Sequence, residues 1–253
     1  PTTAGVFDGT YAANDDVFVT KLNGSGGSLI YSTFIGGTGS EQGRAIAIDR
    51  NGNAFLSGQT TSSGFPVTAG SFDTTYNGSS EAFVLKLNAG GTALVYSSFL
   101  GSSGYDEAFG VAIDSSSNVY VTGRTADGAQ AFPTTPSAFD TTFNGVNDVF
   151  VSKLDASGAN LLYSTFLGGA LSDFGVALVA NDSGFAWVTG YSAKASTPAT
   201  DYPTTAGAFA TLHQGGNDMI VSKLNTLGSG ASSLVYSTFI GGTDSDSARS
   251  IAV

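Results

Sequence analysis

The sequence predicts an all-β fold built from a repeated unit of four antiparallel strands. Three observations carry this prediction. The segment Asp16-Val17-Phe18-Val19-Thr20-Lys21-Leu22 returns from Glu81, Asp148 and Asp218, at spacings of 65, 67 and 70 residues. A second marker, Tyr31-Ser32-Thr33-Phe34-Ile35-Gly36-Gly37, returns in the same order from Tyr96, Tyr163 and Tyr236, so two independent signals define one repeat of 65–73 residues. No ten-residue stretch shows the 3.6-residue apolar period of a helix, whereas short β-branched and aromatic runs alternate with turn residues throughout.

The elements of one unit, lettered A to D, follow in order. Strand A is Ala45-Ile46-Ala47-Ile48, and the tight Asp49-Arg50-Asn51-Gly52-Asn53 turn leads into strand B, Ala54 to Gly58. A connection of about twenty residues through Phe65-Pro66 and Phe72, long for a hairpin loop, reaches strand C, Glu81 to Leu87. The Asn88-Ala89-Gly90-Gly91 turn opens strand D, Ala93 to Leu100. Asn-Gly and Gly-Gly pairs supply the positive φ angles that short hairpins need, and Phe, Val, Ile, Tyr and Thr suit a half-buried pleated surface.

Four antiparallel strands repeated at a fixed period describe the blade of a β-propeller. The motifs also resemble a known family. Tyr31 to Gly37 followed by Ala45-Ile46-Ala47-Ile48-Asp49 and Asn53 to Gly58, and again Val111-Ala112-Ile113-Asp114 through Asn118 to Gly123, are similar to the bacterial SBBP (seven-bladed β-propeller) repeat. The third copy departs from the pattern: Asn181 stands where Asp49 and Asp114 stand, and Trp187 enters strand B. The resemblance implies a propeller within large bacterial surface or secreted proteins.

The ends fall inside the repeat. Pro1 to Phe7 match Pro203 to Phe209 in the B–C connection, and Arg249 to Val253 match Arg44 to Ile48 of strand A. The units are therefore read as 1–43 (partial), 44–108, 109–174, 175–247 and 248–253 (partial), about 3.75 repeats in one domain or segment of one. Four complete units lack a single strand B. This favours a piece of a longer array, or a ring completed by another chain, because an unpaired strand leaves backbone groups open to pairing.

Composition removes several functions. With no Cys and a single His, a zinc cluster, a disulfide scaffold and a thiol nucleophile are excluded. The net charge of −11 argues against nucleic acid and anionic membranes, and no apolar run approaches the roughly 18 residues of a spanning helix. A Ser-His-Asp triad would depend wholly on His213, and no Gly-x-Ser-x-Gly elbow is present. Arg44, Arg50, Arg124 and Arg249 fall on different loops and copies, which argues against an arginine cluster. No catalytic residue is assigned.

Three sets of residues recur with the repeat. Glu41, Asp106, Asp173 and Asp246 each lie five residues after the first Gly of their copy. In a ring they would share one rim, where converging carboxylates suit Ca²⁺, the one candidate cofactor, none being required. The simpler reading is that each acid caps its own turn. Tyr11, Tyr76, Phe143 and His213 occupy one position in the long B–C loops, where binding surfaces usually reside, and are the candidate binding residues. The strand C acids Asp16, Glu81, Asp148 and Asp218 and lysines Lys21, Lys86, Lys153 and Lys223 point to opposite strand faces, so an ion pair between acid and lysine would have to cross from blade to blade.

The expected function is a non-catalytic binding or adhesion module, extracellular or on the bacterial cell surface, for a glycan or protein ligand. The alternatives are a structural repeat of a surface fibre, sheath or multi-chain ring, and a polysaccharide-acting propeller hydrolase. Self-assembly and further repeats of a longer parent chain are the other expected partners. Pro1-Thr2-Thr3 already belong to the repeat, so the start of the sequence carries no information on export.

Overall fold

The computed structural model describes residues 1–12, 14–126, 131–195 and 201–253. Fourteen strands form four antiparallel meanders among these residues. The first sheet has two strands, β1 (Val17–Leu22) and β2 (Leu29–Ile35). The second has β3 (Glu41–Ile48), β4 (Ala54–Thr60), β5 (Glu81–Leu87) and β6 (Leu94–Leu100). The third has β7 (Tyr105–Ile113), β8 (Val119–Ala126), β9 (Asp148–Leu154) and β10 (Leu161–Leu167). The fourth has β11 (Asp173–Ala180), β12 (Phe185–Ala193), β13 (Asn217–Asn225) and β14 (Leu234–Ile240). Each four-stranded sheet runs A-B-C-D in sequence order, and β1–β2 form a C–D pair.

Turn chemistry places the strands where the sequence puts them. In the A–B turn, Asp49 Oδ1 accepts the backbone N–H groups of Asn51 and Asn53, and Gly52 takes φ +82°. Asp114 and Asn181 repeat the arrangement, with Ser117 and Gly184 at the positive-φ position. Strand A begins four residues earlier than expected, at Glu41, and bulges between Gly43 and Ala45. The same bulge recurs at Ala108/Gly110 and Gly175/Ala177. It drives a strand A carbonyl against strand B, where a Cβ on Gly58, Gly123 or Gly190 would overlap the oxygen of Gln42, Glu107 or Phe174. The glycine of the strand B motif is therefore a steric requirement of the bulge.

The sheets stack face to face. β7 packs across β3, β4 and β5, and β11 across β7, β8 and β9. One apolar core fills each gap between consecutive sheets, with Phe55, Val84, Val121 and Phe150 in the middle one. The backbone also stitches the seams. The N–H groups of Glu41, Asp106, Asp173 and Asp246 donate to the carbonyls of Asp15, Ser80, Asn147 and Asn217 in the preceding unit, at 2.7–3.0 Å. Strand D tyrosines complete the seam: Tyr31 and Tyr96 lie under Gly91 and Gly158 of the next sheet, where any Cβ would overlap the ring.

Residues 249–253, expected as a strand A, form no strand. The segment follows the repeat as far as Ala248, whose N–H reaches the carbonyl of Gly190 at 3.3 Å. Among the described residues no strand B lies alongside to hold it extended.

Candidate functional site

The acids of the Gly-Gly loops turn inward. Glu41, Asp106, Asp173 and Asp246 each accept the backbone N–H four residues earlier, from Gly37, Ser102, Gly169 and Gly242, at 2.6–2.9 Å. Glu41 also accepts the Thr60 hydroxyl at 2.8 Å. The Ca²⁺ rim expected from these four residues is not assembled, and no group of three or more acids or histidines able to hold a metal occurs among the described residues. The cause is the early start of strand A. Because each acid's own N–H is bonded back to the preceding unit, its carboxylate is drawn into the seam beneath its loop.

There it meets the strand C acid of the preceding repeat. Asp16, Glu81, Asp148 and Asp218 accept the N–H groups of Ala12, Asn77, Asn144 and Gln214 at 2.6–2.9 Å. A Cβ on Gly36 would overlap the Asp16 carboxylate and crowd that of Glu41. Burial pushes Glu81 and Asp148 up to about 7, with Asp73 and then Asp106 repelling Glu81, and Asp173 and then Asp140 repelling Asp148, against the partial relief from backbone N–H groups. Burial likewise raises Asp173 to about 6. The sequence did carry a signal for these pairs: Asp16 and Glu41, Glu81 and Asp106, and Asp148 and Asp173 are all 25 residues apart.

The loop aromatics pack on their own sheets. Tyr11, Tyr76, Phe143 and His213 sit edge-on to Phe34, Phe99, Phe166 and Phe239 of strand D, with centroids 5.0–6.1 Å apart. They anchor the long connection, each on strand D of its own sheet, and Tyr11 stays half exposed. His213 is buried, and its Nε2 donates to the Ser192 carbonyl at 2.8 Å. Phe65 and Phe132 stack on Phe83 and Phe150 of strand C at 4.7 and 4.6 Å.

The lysines pair within their own sheets, not across blades. Lys86 Nζ lies 3.5 Å from Asp49 and 4.7 Å from the Phe55 ring centre. Lys153 lies 3.7 Å from Asp114 and 4.8 Å from the Tyr120 ring. In the last copy, where Asn181 offers no charge, Lys223 lies over both Phe185 and Trp187, at 4.3 and 4.9 Å. Trp187 holds the place of Phe55 and Tyr120, so the ring added in this copy is Phe185, where the others have Asn53 and Asn118, and an ion pair is exchanged for a second aromatic face.

Arg44 and Arg124, scattered in sequence, do meet. Both bridge buried Glu107, and Arg124 lies between the rings of Tyr105 and Phe174 at 4.8 and 5.0 Å. Arg124 is half-buried in this arrangement, while Arg44 reaches Glu107 from the exposed face of β3. Two of the concave regions among the described residues are open to the surface. One, of about 380 Å³, lies between the A–B turns and is lined by Asp49, Arg50, Asp114, Ser115 and Asp182. The other is an apolar groove between β1 and β3, made of two adjoining hollows of about 290 and 350 Å³.

No curated protein shows a significant match to the sequence. Residues 30–66 and 95–127 match the family model of SBBP, a beta-propeller repeat. Both windows start in strand D of one sheet and run through strands A and B of the next, so they cross the seam that the glycines, tyrosines and paired acids build. Over these two windows the chain matches the SBBP beta-propeller repeat.

Proposed function

We propose that this chain is a segment of an extracellular or cell-surface bacterial β-propeller and acts as a non-catalytic binding or adhesion module. The observation that carries the reading is how the repeat spends its reactive side chains. Acids cap turns and face one another across seams, lysines pair with Asp49 and Asp114, and Arg44 and Arg124 close on Glu107. Recognition is then left to surface shape, and the hollow between the A–B turns is the place for a glycan or protein ligand. The stacked sheets, with strand A of each lying on the sheet before it, are blades that further strands complete into a ring.

Binding to arrays of glycans and extracellular proteins tests this, with Asp182→Ala altering the wall of the hollow. Saturable binding weakened by that change is expected. Turnover of any polysaccharide, abolished by Asp173→Asn, would overturn the non-catalytic reading in favour of a hydrolase.

A further inference from the structure

We infer that Asp148 and Asp173, which meet at the seam of the third and fourth sheets, hold a calcium ion together with the loop carbonyls of Gly169 and Leu171, and that Glu81 and Asp106 repeat the site one seam earlier. These donors are not a rim of loop acids, since each loop acid is joined by the strand C acid of the preceding repeat, inside a buried seam. A pair of acids alone would be no more than two turn caps. The turns, however, leave one oxygen over. Asp148 is fully buried and accepts the Asn144 N–H at 2.9 Å through Oδ2, whereas Oδ1 makes no hydrogen bond and the nearby Gly145 N–H relieves it only in part. Glu81, also fully buried, accepts the Asn77 N–H at 2.6 Å through Oε1 and leaves Oε2 without a bond. A buried carboxylate oxygen with no donor is costly and calls for a partner.

Beside the spare oxygen of Asp148 lie other oxygens. A Cβ on Gly145 would overlap the carbonyl oxygens of Gly169 and Leu171 and lie 3.1 Å from Asp148 Oδ1, so all three border one small volume. A Cβ on Gly168 would also overlap Asp148 Oδ1, so two glycines from two repeats keep side-chain atoms away from it. One seam earlier, a Cβ on Gly78 would lie 2.7 Å from the carbonyl oxygen of Gly104 and 3.0 Å from that of Ser102. Asp173 adds a second carboxylate: its Oδ2 takes the Gly169 N–H at 2.7 Å, and its Oδ1 has only partial relief from the Ser192 hydroxyl. Neither Asp148 nor Asp173 forms a salt bridge with Lys or Arg among the described residues, while Asp140 and Asp201 add further negative charge. Carboxylates and carbonyl dipoles gathered in this way repel one another unless a cation sits among them.

The donor set selects the ion. All donors are oxygens and two are carboxylates, which suits a hard divalent cation. Calcium accepts backbone carbonyls and irregular geometry, whereas magnesium demands a near-ideal octahedron and keeps several waters, which a fully buried seam does not house. The fourth copy provides a contrast. There Asp218 Oδ1 has a donor, the Gly215 N–H at 3.2 Å, and His213 Nδ1 lies 3.5 Å from Oδ2. An imidazole thus stands beside this carboxylate where Tyr76 and Phe143 stand in the earlier copies, and no ion is assigned to Asp218.

The test strips the chain with EDTA and measures calcium binding by equilibrium dialysis, with the thermal midpoint read alongside. Two ions per chain are expected, and a midpoint at least about 4 °C higher in millimolar calcium than in magnesium or in sodium of equal ionic strength. Asp148→Asn is expected to bind one ion, and Asp148→Asn combined with Glu81→Gln none. Asp218→Asn, the same change of charge in the fourth copy, is expected to keep both. Each change removes a buried charge, so folding without the metal is expected, and the midpoint in EDTA reads it. Hydrogen exchange of the unmodified chain locates the ion without any variant: calcium is expected to slow exchange at residues 144–148 and 168–173 at least about tenfold. No calcium on the stripped chain overturns the inference and leaves a shared proton to relieve each pair. Undiminished binding by the Asp148→Asn and Glu81→Gln double variant overturns it too, as does an equal midpoint shift in magnesium. So does calcium binding without slowed exchange at those residues, which would place the ion on surface acids.

Discussion

Replacing Asp148 by Asn removes a charge that the native fold holds at a cost. The side chain is fully buried at the seam between the third and fourth sheets. One oxygen accepts the Asn144 N–H, while Oδ1 has no hydrogen-bond partner among the described residues. Its carboxyl is raised from 3.8 to about 7, first by burial and then by Asp173 and Asp140. A native pKa above the unfolded value means that the folded protein keeps a proton the unfolded chain has released. The associated stability is therefore complete below about pH 4 and is lost as the pH rises through about 7. A rise of about three units corresponds to about 4 kcal/mol at pH 8, and relaxation of Asp173 when its partner is neutral reduces this to about 2–4 kcal/mol.

Urea unfolding of the wild type and of Asp148→Asn, followed between about pH 4.5 and 8, measures the difference directly. The variant is expected to exceed the wild type by no more than about 1 kcal/mol at the acid end and by about 2–4 kcal/mol at the alkaline end. Glu81 and Asp173 are raised in the same direction, so the wild type itself is expected to lose stability across this range. Asp155, held down to about 2 by hydrogen bonds that outweigh its burial, acts in the opposite sense, but only at lower pH. Parallel profiles for the two proteins, or a wild type that gains stability from pH 5 to 8, would refute the paired-acid account.

Three further outcomes follow from the geometry. Phe83→Ala is expected to cost about 3–5 kcal/mol and Phe18→Ala, at the same repeat position, under about 1 kcal/mol in chemical denaturation, because only Phe83 is buried. Gly158→Ala combines φ +70° with overlap of the Tyr96 ring and should cost about 2–4 kcal/mol, whereas Gly26→Ala, at φ +71° with open space around it, should cost about 1 kcal/mol; equal losses would mean the ring does not matter. Asn181→Asp restores the acid that Lys86 and Lys153 have, and is expected to gain about 0.5–1 kcal/mol, in a thermal melt at low salt, with the gain fading as salt is added.

Much of the fold was legible because its signals are local. Asp49, Asn53 and Gly52 close their hairpin whatever surrounds them, and the Glu81–Leu87 and Leu94–Leu100 strands fall within a residue of their expected limits. The start of strand A was not legible. Glu41 to Arg44 hold two charges and a glycine, which do not read as a strand, and they become one because the Glu41 N–H bonds to Asp15 and the bulge at Gly43 absorbs the misfit. Of the two readings of the loop acids, the turn cap was legible, and the N–H groups of Gly37, Ser102, Gly169 and Gly242 make it. That the same acids also face strand C acids across a seam was not, because the direction of a side chain is decided by the neighbouring strand or sheet.

The sequence alone determined the period, the strand order within a unit and the turn residues, since hairpins and period-two burial depend on residues close together in the chain. Only the tertiary structure decided which charges meet. The pairs Asp148 and Asp173, Lys153 and Asp114, and Arg44 and Glu107 are joined across strands or seams, and their energies depend on burial and on a few ångströms of separation that sheet stacking sets. Stacking also decided where apolar surface stays uncovered. Phe18 and Phe83 are the same residue in the same motif, and only the presence of a strand B beside one of them makes it core.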